Sequence, residues 1–163
     1  YNKILKIMNR NHTIEDYLKI FEKLKKINNN IEFSSDFIIG YPGENDKDFN
    51  ETLDLIERIK FINSYSFIFS PRPGTVAEGL ELIDKKISME RLEKVQNLLF
   101  ENQIKMNKSL ENTCLNVLAE NLTEDKKKIF GRSENMTSVI FNGNINDIGK
   151  IVQVKINQSN RSN

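Results

Sequence analysis

Residues 34–44, SSDFIIGYPGE, constrain the fold more than any other stretch of the sequence. A short apolar run ends there in a Gly-Tyr-Pro-Gly turn, which is typical of a strand buried on both faces in a parallel sheet. Asn45 or Asp46 can cap a following helix, whose apolar residues Phe49, Leu53, Ile56 and Ile59 step by three or four. The segment therefore predicts a strand over residues 33–40, a turn and a helix.

Helix and strand signals alternate around this segment. Apolar spacing in residues 1–10 predicts a helix that ends near Arg10. Thr13 with Asp16 resembles a capping box, and the helix that it begins should end at the asparagine run 28–30. Residues 64–70, SYSFIFS, predict a second strand. This order favours parallel strands with right-handed crossovers, an α/β fold.

The pattern changes near Asn107. Before it, Ser88 is predicted to cap a long helix that carries Leu92, Val95, Leu99, Gln103 and Met106 on one side. After it, the segments TCLNVLAE, KIFGRS, MTSVIFN and KIVQVKIN predict short strands, with Val152, Val154 and Ile156 on one face. Strands at this spacing indicate a small antiparallel β-barrel. We therefore expect an α/β domain over residues 1–106, followed by an all-β domain over residues 107–163.

Composition excludes several classes of protein. No run approaches the roughly 20 apolar residues of a membrane span, and no signal-peptide layout opens the chain, so we expect a cytoplasmic protein without membrane contact. The single cysteine, Cys114, excludes an intrachain disulfide and any multi-cysteine metal site built from this chain alone. We expect it to be a small core residue. The chain starts at Tyr1 within an amphipathic pattern, which indicates a piece of a longer chain.

Asp36 is the first candidate functional residue, because an unpaired carboxylate on an apolar strand costs several kcal/mol to bury. It should either have a fixed partner or face a ligand at the carboxyl end of the strand, where α/β folds bind ligands. The turn at residues 40–43 permits close approach of a ligand to the backbone, or is only structural. Glu44 is explained by the helix macrodipole.

Further candidates are basic. Arg72 lies between Pro71 and Pro73, which suits recognition of a carboxylate or phosphate, although a solvated surface arginine is the alternative. His12, the only histidine, should lie at the surface. A basic cluster, Lys126, Lys127, Lys128 and Arg132 around Phe130, could contact a phosphate backbone or form a solvated turn.

The motifs KIMNRNHTIEDY, SSDFIIGYPGE and SFIFSPRPGT resemble, in order and spacing, those of the radical S-adenosylmethionine (SAM) methylthiotransferases. The long helix followed by VLAE, FGRS and GKIVQVKI resembles the small C-terminal RNA-binding β-barrel of those enzymes, the TRAM domain. The resemblance covers essentially the whole chain. It implies the last βα units of a partial TIM-like radical SAM barrel, then a TRAM barrel, in a monomer.

The resemblance also implies an activity. Its PRP and SSDF motifs are similar to those of the tRNA-modifying branch, which uses SAM and two 4Fe–4S clusters, more than to those of the ribosomal-protein S12 branch. The nearest likeness is to enzymes that add a methylthio group to C2 of N6-isopentenyladenosine at tRNA position 37. A sister branch acts on threonylcarbamoyl-adenosine and shares much of the pattern. The alternative is a non-catalytic RNA-binding protein derived from such an enzyme.

The resemblance implies roles for the matching residues. Arg10 would lie near the methionyl carboxylate of the cofactor, and Asp36 would accept hydrogen bonds from the ribose hydroxyls. The adenine would be lined by Gly40, Tyr41, Pro42 and the backbone of Phe69 and Ser70. Arg72 would face the cofactor or the substrate. The tRNA phosphates would be contacted by Lys126, Lys127, Lys128 and Arg132.

The chain departs from the family in its cysteines. Family members hold one 4Fe–4S cluster on a CxxxCxxC loop and a second on three cysteines of an N-terminal domain. Only Cys114 is present here. We therefore expect no metal ligand and no catalytic residue in this segment, which by itself should be inactive.

Overall fold

The computed structural model describes residues 2–8 and 10–160, so Tyr1, Asn9 and residues 161–163 lie outside the described part. The chain forms two compact units, unit 1 over Tyr1–Asn102 and unit 2 over Gln103–Asn163. The division falls within a long helix that contributes residues to both units. Each unit is described by itself below.

Unit 1 alternates helices and strands. In chain order these are α1 (Asn2–Ile7), α2 (Ile14–Ile27), β1 (Asp36–Ile39), α3 (Asp46–Ile59), β2 (Tyr65–Ile68), a 3-10 turn (Val76–Gly79) and the first part of α4 (Lys85–Ser109). β1 and β2 pair in parallel, with Asp36 opposite Tyr65 and Ile39 opposite Ile68. The predicted α/β order and the parallel pairing are confirmed.

Capping geometry confirms two of the predicted helix starts. The Thr13 hydroxyl accepts the Asp16 N–H at 3.2 Å, and the Asp16 carboxylate accepts the Thr13 N–H at 3.1 Å. At the start of α3 the cap is Asn45 rather than Asp46, since Asn45 Oδ1 accepts the Asp48 N–H at 3.0 Å. In both helices the side chain satisfies an N–H that the helix itself leaves without a partner.

Two other helix limits differ from the prediction. α1 ends at Ile7 rather than near Arg10, because the Arg10 N–H donates to the carbonyl of Leu5 and leaves the helical repeat. α4 begins at Lys85, and Ser88 is a buried residue inside it rather than its cap. Asp84 takes the capping role, with Oδ1 accepting N–H groups of the first helical turn.

The hydrophobic core of unit 1 lies on one face of β1. Its buried members come from β1, α3, the segment after α3, and α4: Phe37, Ile39, Phe49, Leu55, Ile56, Ile59, Phe61, Val95 and Leu99. Residues of α2 pack against this cluster. Burying a side chain of this size contributes about 1.5–3 kcal/mol, so the core fixes α2, α3 and α4 on the same side of β1.

The opposite face of the strands is open, so the expectation that β1 is buried on both faces is wrong. Phe37 and Ile39 are 4% and 1% exposed, whereas Ile38 is 42% exposed. On β2 the outward residues Tyr65 and Phe67 are 67% and 54% exposed, and their rings stack with centroids 6.4 Å apart. The described helices cover one face only, which leaves an apolar surface on the other.

Unit 2 contains the end of α4, a short 3-10 turn (Ile145–Asp147) and four strands. The strands are β3 (Cys114–Leu122), β4 (Ile129–Ser133), β5 (Ser138–Phe141) and β6 (Ile151–Lys155). They form one antiparallel sheet in the order β5-β4-β3-β6. The predicted strands and their antiparallel, TRAM-like arrangement are confirmed. Val117, Ala119 and Ile129, each 0% exposed, form the interior side of the sheet.

Cys114 opens β3, but it is exposed rather than buried in the core. Side chains alternate across a strand, and Cys114 lies on the same outer side as Asn116 and Leu118. Val117 points to the interior instead. The prediction that Cys114 is a core residue is therefore wrong, because the inward-facing positions of β3 are the alternate ones.

The three consecutive lysines lie at the tip of the β3–β4 hairpin. The Thr123 N–H donates to the Lys128 carbonyl at 2.9 Å, and the Lys126 N–H donates to the Thr123 carbonyl at 2.8 Å. Asp125 closes the tip by accepting the Thr123 hydroxyl at 2.6 Å and the Lys127 N–H at 3.1 Å. These hydrogen bonds, that from the Thr123 hydroxyl first, lower the pKa of Asp125.

Gly40 and Gly43 provide a matched test of the turn after β1. Their φ angles are +74° and +85°, but only at Gly40 would an added Cβ meet another group, Ser88 Oγ at 2.6 Å. Gly40→Ala should therefore lower the free energy of unfolding by about 2–4 kcal/mol, and Gly43→Ala by about 1–2 kcal/mol. Urea unfolding measures both values. Equal losses would contradict close packing of α4 on Gly40.

Asp125 gives a prediction about acid. Because its folded pKa is depressed, its stabilising bonds are present above the pKa of an unfolded aspartate and are lost as pH falls through the folded pKa. The NMR shift of the Lys127 amide should therefore titrate with a midpoint below the usual aspartate value of about 3.9. Asp125→Asn should abolish the titration and Glu124→Gln should leave it in place. A midpoint at or above the usual value would contradict the hydrogen bonds that Asp125 accepts at the hairpin tip.

Candidate functional site

The carboxyl edge of the β1–β2 pair holds most of the predicted cofactor-binding residues, Gly40, Tyr41, Pro42, Phe69 and Ser70. The Phe69 N–H donates to the Ile39 carbonyl at 2.8 Å, which continues the parallel ladder beyond Ile68. The rings of Tyr41 and Phe69 meet edge to face with centroids 4.7 Å apart. Ligands of parallel sheets bind at this edge.

The turn at this edge is compact and largely buried. Gly40, Tyr41 and Pro42 are buried, whereas Gly43 is exposed. The Glu44 N–H donates to the Tyr41 carbonyl at 2.9 Å, and the positive φ of Gly43 suits a turn of this kind. Ser88 of α4 packs so closely on Gly40 that a side chain there would overlap it. Glycine at position 40 is thus required both by the backbone conformation and by the helix beside it.

Glu44 forms a buried ion pair that the sequence analysis missed. Its side chain is 6% exposed, and Oε1 accepts from Arg91 Nη1 at 2.7 Å. Both carboxylate oxygens lie 3.3 Å from the Gly40 nitrogen and accept its N–H. Arg91 also donates to the Glu44 carbonyl at 3.2 Å. The macrodipole is therefore an incomplete explanation of Glu44, whose carboxylate joins the turn to α4.

The Arg91 guanidinium has further contacts around this pair. Nη2 donates to Asp46 Oδ1 at 2.7 Å, and the guanidinium carbon lies 5.3 Å from the centroid of the Phe49 ring. Burial raises the pKa of Glu44, while the hydrogen bond and charge of Arg91 oppose that rise. The Asp46 side chain is 93% exposed. The same guanidinium thus binds one buried and one solvated carboxylate.

Asp36 does not occupy the position that was expected. It is the first residue of β1, at the amino end of the strand, and it is exposed on the open face. In the described part of the chain its carboxylate has no hydrogen bond or ion pair. At about 3.3 Å per residue, roughly 13 Å of strand separates it from Gly40. Of the two alternatives, no fixed partner of the Asp36 side chain is found among the described residues, and the position at the carboxyl end is wrong because β1 begins at Asp36. A role of Asp36 toward a ligand remains a prediction.

Arg10 and Arg72 are both exposed, in loops that follow α1 and β2. No ion pair forms between either guanidinium and another residue of the described ranges. The loop around Arg72 is nevertheless fixed, since the Arg72 carbonyl accepts the Thr75 N–H at 3.2 Å and the Thr75 hydroxyl at 2.7 Å. His12 is exposed, as predicted.

The basic cluster of unit 2 divides into two kinds of cation. Lys126, Lys127 and Lys128 are exposed and, within residues 2–8 and 10–160, form no ion pair. Arg132 lies on β4, where Nη1 is 3.4 Å from Glu120 Oε1 and the guanidinium carbon is 5.7 Å from the Phe130 ring centroid. The lysines therefore present free charge to a partner, whereas Arg132 is already partly neutralised.

The residues of this chain do not fit a 4Fe–4S cluster. Such a cluster is held by three or four cysteine thiolates, and the sequence contains one cysteine. No group of three or more His, Cys, Asp or Glu residues able to hold a metal ion occurs in the described ranges. Among the helices of those ranges, none is long and apolar enough to cross a membrane.

Comparison with protein families identifies both parts of the chain. Residues 1–56 match the family model described as the radical SAM superfamily, and residues 108–162 match the TRAM domain. The first match includes β1, the turn after it and most of α3, and the second includes every strand of unit 2. The domain limits of 1–106 and 107–163 remain a prediction.

Curated relatives match the whole chain. It is 66% identical over 161 residues to the tRNA-2-methylthio-N(6)-dimethylallyladenosine synthase of Pelagibacter ubique (strain HTCC1062), covering 99% of this chain and 36% of that protein. The synthases of the same name from Ruthia magnifica subsp. Calyptogena magnifica and Wolbachia pipientis wMel are 42% and 40% identical, over 96% and 99% of the chain. The chain spans 36–37% of the length of these relatives.

The parallel β-α-β unit, the glycine turn at its carboxyl edge and the antiparallel sheet that follows the long helix in sequence agree with both family matches. The chain therefore carries a segment that matches the radical SAM superfamily and a segment that matches the TRAM domain, and it aligns with the C-terminal part of the synthases that it resembles.

Proposed function

We propose that the chain is the C-terminal part of a tRNA methylthiotransferase that adds a methylthio group to C2 of N6-isopentenyladenosine at tRNA position 37. The observation that carries this proposal is the 66% identity to a synthase named for that nucleoside, which extends through both units. The relatives' names favour this branch over the threonylcarbamoyl-adenosine branch.

The protein would act in the cytoplasm as a monomer. Cysteines outside these 163 residues would hold both 4Fe–4S clusters.

Unit 1 would provide one wall of the SAM site. The buried turn of Gly40, Tyr41 and Pro42, with Phe69 and Ser70 beside it, would line the adenine, since glycine permits close approach and an aromatic pair suits a flat base. This assignment is supported by the position of the group at the carboxyl edge of parallel strands. These residues would bind and orient the cofactor, whose chemistry depends on the clusters.

Three charged residues of unit 1 would bind the ribose and methionyl parts of the cofactor. Asp36, exposed on the open face, would accept hydrogen bonds from the ribose hydroxyls. Arg10 would approach the methionyl carboxylate, and Arg72 the cofactor or the tRNA. All three side chains are exposed and have no ion-pair partner in the described part of the chain, so their charges are available to a ligand.

Unit 2 would bind tRNA. Lys126, Lys127 and Lys128 project from one hairpin tip, where Asp125 and Thr123 fix the backbone, and Arg132 lies on the adjacent strand. Free ammonium groups on a fixed turn suit the phosphate backbone, which contributes affinity without sequence specificity. The match of this unit to the TRAM domain supports the assignment.

Asp36 and the proposed activity can be tested together in the full-length protein, with its clusters reconstituted. Wild type should convert N6-isopentenyladenosine in tRNA to its 2-methylthio derivative, measured by mass spectrometry of the nucleosides. Asp36→Asn should raise the SAM concentration for half-maximal rate about 5–20-fold, since a charged hydrogen bond contributes roughly 1–2 kcal/mol more than a neutral one. Asp54→Asn, exposed on α3, is the control.

Two results would contradict these assignments. Absence of the methylthio product with wild-type protein would favour a non-catalytic RNA-binding protein over the enzyme. Product formation with an unchanged SAM dependence for Asp36→Asn would make Asp36 a surface residue of the strand.

The three tip lysines give a second test. Their replacement by glutamine should weaken binding to all tRNAs alike and reduce the slope of log affinity against log salt by up to about 2–3, because each neutralised phosphate contributes about 0.7–0.9 to that slope. The control removes the same charge from exposed Lys19, Lys23 and Lys26 of α2. Filter binding at several salt concentrations measures both. Equal effects of the two triple variants would show only a dependence on net charge.

A further inference from the structure

We propose that Arg91 is a positioning residue for the SAM site, acting through Glu44 on the peptide group between Ile39 and Gly40. The inference rests on the proposed function, because it concerns the turn that would line the adenine. Arg91 itself lies on α4, outside residues 1–56 that match the radical SAM model.

The peptide group between Ile39 and Gly40 forms hydrogen bonds through both its carbonyl and its N–H. Its carbonyl, on Ile39, accepts the Phe69 N–H at 2.8 Å, which attaches the end of β2. Its N–H, on Gly40, donates to both oxygens of Glu44 at 3.3 Å. The orientation of this peptide therefore determines where the backbone of Tyr41 begins and how Phe69 is placed beside it.

Arg91 fixes the carboxylate that holds this N–H. It donates to Glu44 Oε1 at 2.7 Å and to the Glu44 carbonyl at 3.2 Å, so side chain and backbone of the same residue are attached to one guanidinium. The two side chains are 9% and 6% exposed, and water cannot readily replace either partner. Without the guanidinium, the buried carboxylate would become protonated or turn to solvent, and the Gly40 N–H would be released.

The position of α4 relative to the turn at residues 40–44 is also fixed. Ser88 and Arg91 are three residues apart, hence on the same side of α4, and both are buried against the turn segment. Ser88 contacts Gly40 and Arg91 contacts Glu44, so the helix touches the turn at its first and last residues. Release of Arg91 would remove the hydrogen bonds from α4 to the turn and leave the van der Waals contact of Ser88 with Gly40.

The test compares Glu44→Gln with Asp46→Asn in the full-length enzyme. Each variant neutralises one carboxylate bound by Arg91, but only Glu44 also binds the Gly40 N–H. We expect Glu44→Gln to raise the KM for SAM about tenfold, with kcat changed less than twofold, on tRNA that carries N6-isopentenyladenosine. Asp46→Asn should stay within twofold of wild type in both. Arg91→Lys, which keeps the charge but not the planar fork of the guanidinium, should give an intermediate KM.

A second readout is independent of activity. In full-length protein labelled at glycine, the Gly40 amide signal can be identified by its absence in Gly40→Ala and then followed by NMR. That signal should move in Glu44→Gln and Arg91→Lys and stay in place in Asp46→Asn. If Glu44→Gln does not fold, Arg91→Lys provides the comparison.

The outcomes separate the two proposals. A wild-type enzyme that makes no methylthio product would overturn the proposed function. An active wild type, with a Gly40 signal that moves in Glu44→Gln or Arg91→Lys but an unchanged KM for SAM, would overturn the positioning role. A KM raised equally by Asp46→Asn would overturn it as well, because the effect would then not pass through Gly40.

Discussion

The buried ion pair between Glu44 and Arg91 is the contact on which the carboxyl edge of unit 1 depends. It joins a helix to a turn that the core beneath β1 does not itself define, since the core residues Phe37 and Ile39 precede the turn. Removing one partner of such a pair costs about 3–5 kcal/mol, because the other charge remains buried. The glycine at position 40 fits this arrangement, as any side chain there would separate the turn from α4.

The two units differ in how they present charge. In unit 1 the arginine with most contacts is enclosed, and the turn beside it offers backbone and aromatic surface to a ligand. In unit 2 the three lysines stand at a hairpin tip whose backbone is fixed by hydrogen bonds of Thr123 and Asp125. The first arrangement suits a small ligand that needs a defined pose. The second suits a polyanion that is held by charge and remains free to adjust.

Local signals in the sequence predicted local structure well. The caps at Thr13 and Asn45 and the strands of unit 2 depend on neighbours within a few residues, so they are visible in the sequence. Pairing between distant residues cannot be predicted in this way. Arg91 lies 47 residues after Glu44 on a helix, and nothing in the sequence indicates that this arginine points inward. The misplacement of Asp36 has another cause. An apolar run does not reveal at which residue strand pairing begins, and β1 begins at Asp36 rather than at residue 33.

The pair between Arg132 and Glu120 has a thermodynamic consequence for the proposed binding of RNA. A phosphate that reaches a free lysine displaces a bound counterion, and the released ion contributes mixing entropy that decreases as salt rises. A phosphate that reaches Arg132 releases the same kind of cation from the RNA, but it must also displace the Glu120 carboxylate from the guanidinium. The lost pair offsets part of the gain, so Arg132 would contribute less affinity than a free lysine although its contact is just as sensitive to salt. Unit 2 would thus combine cations that bind a phosphate directly with one that must first exchange its partner.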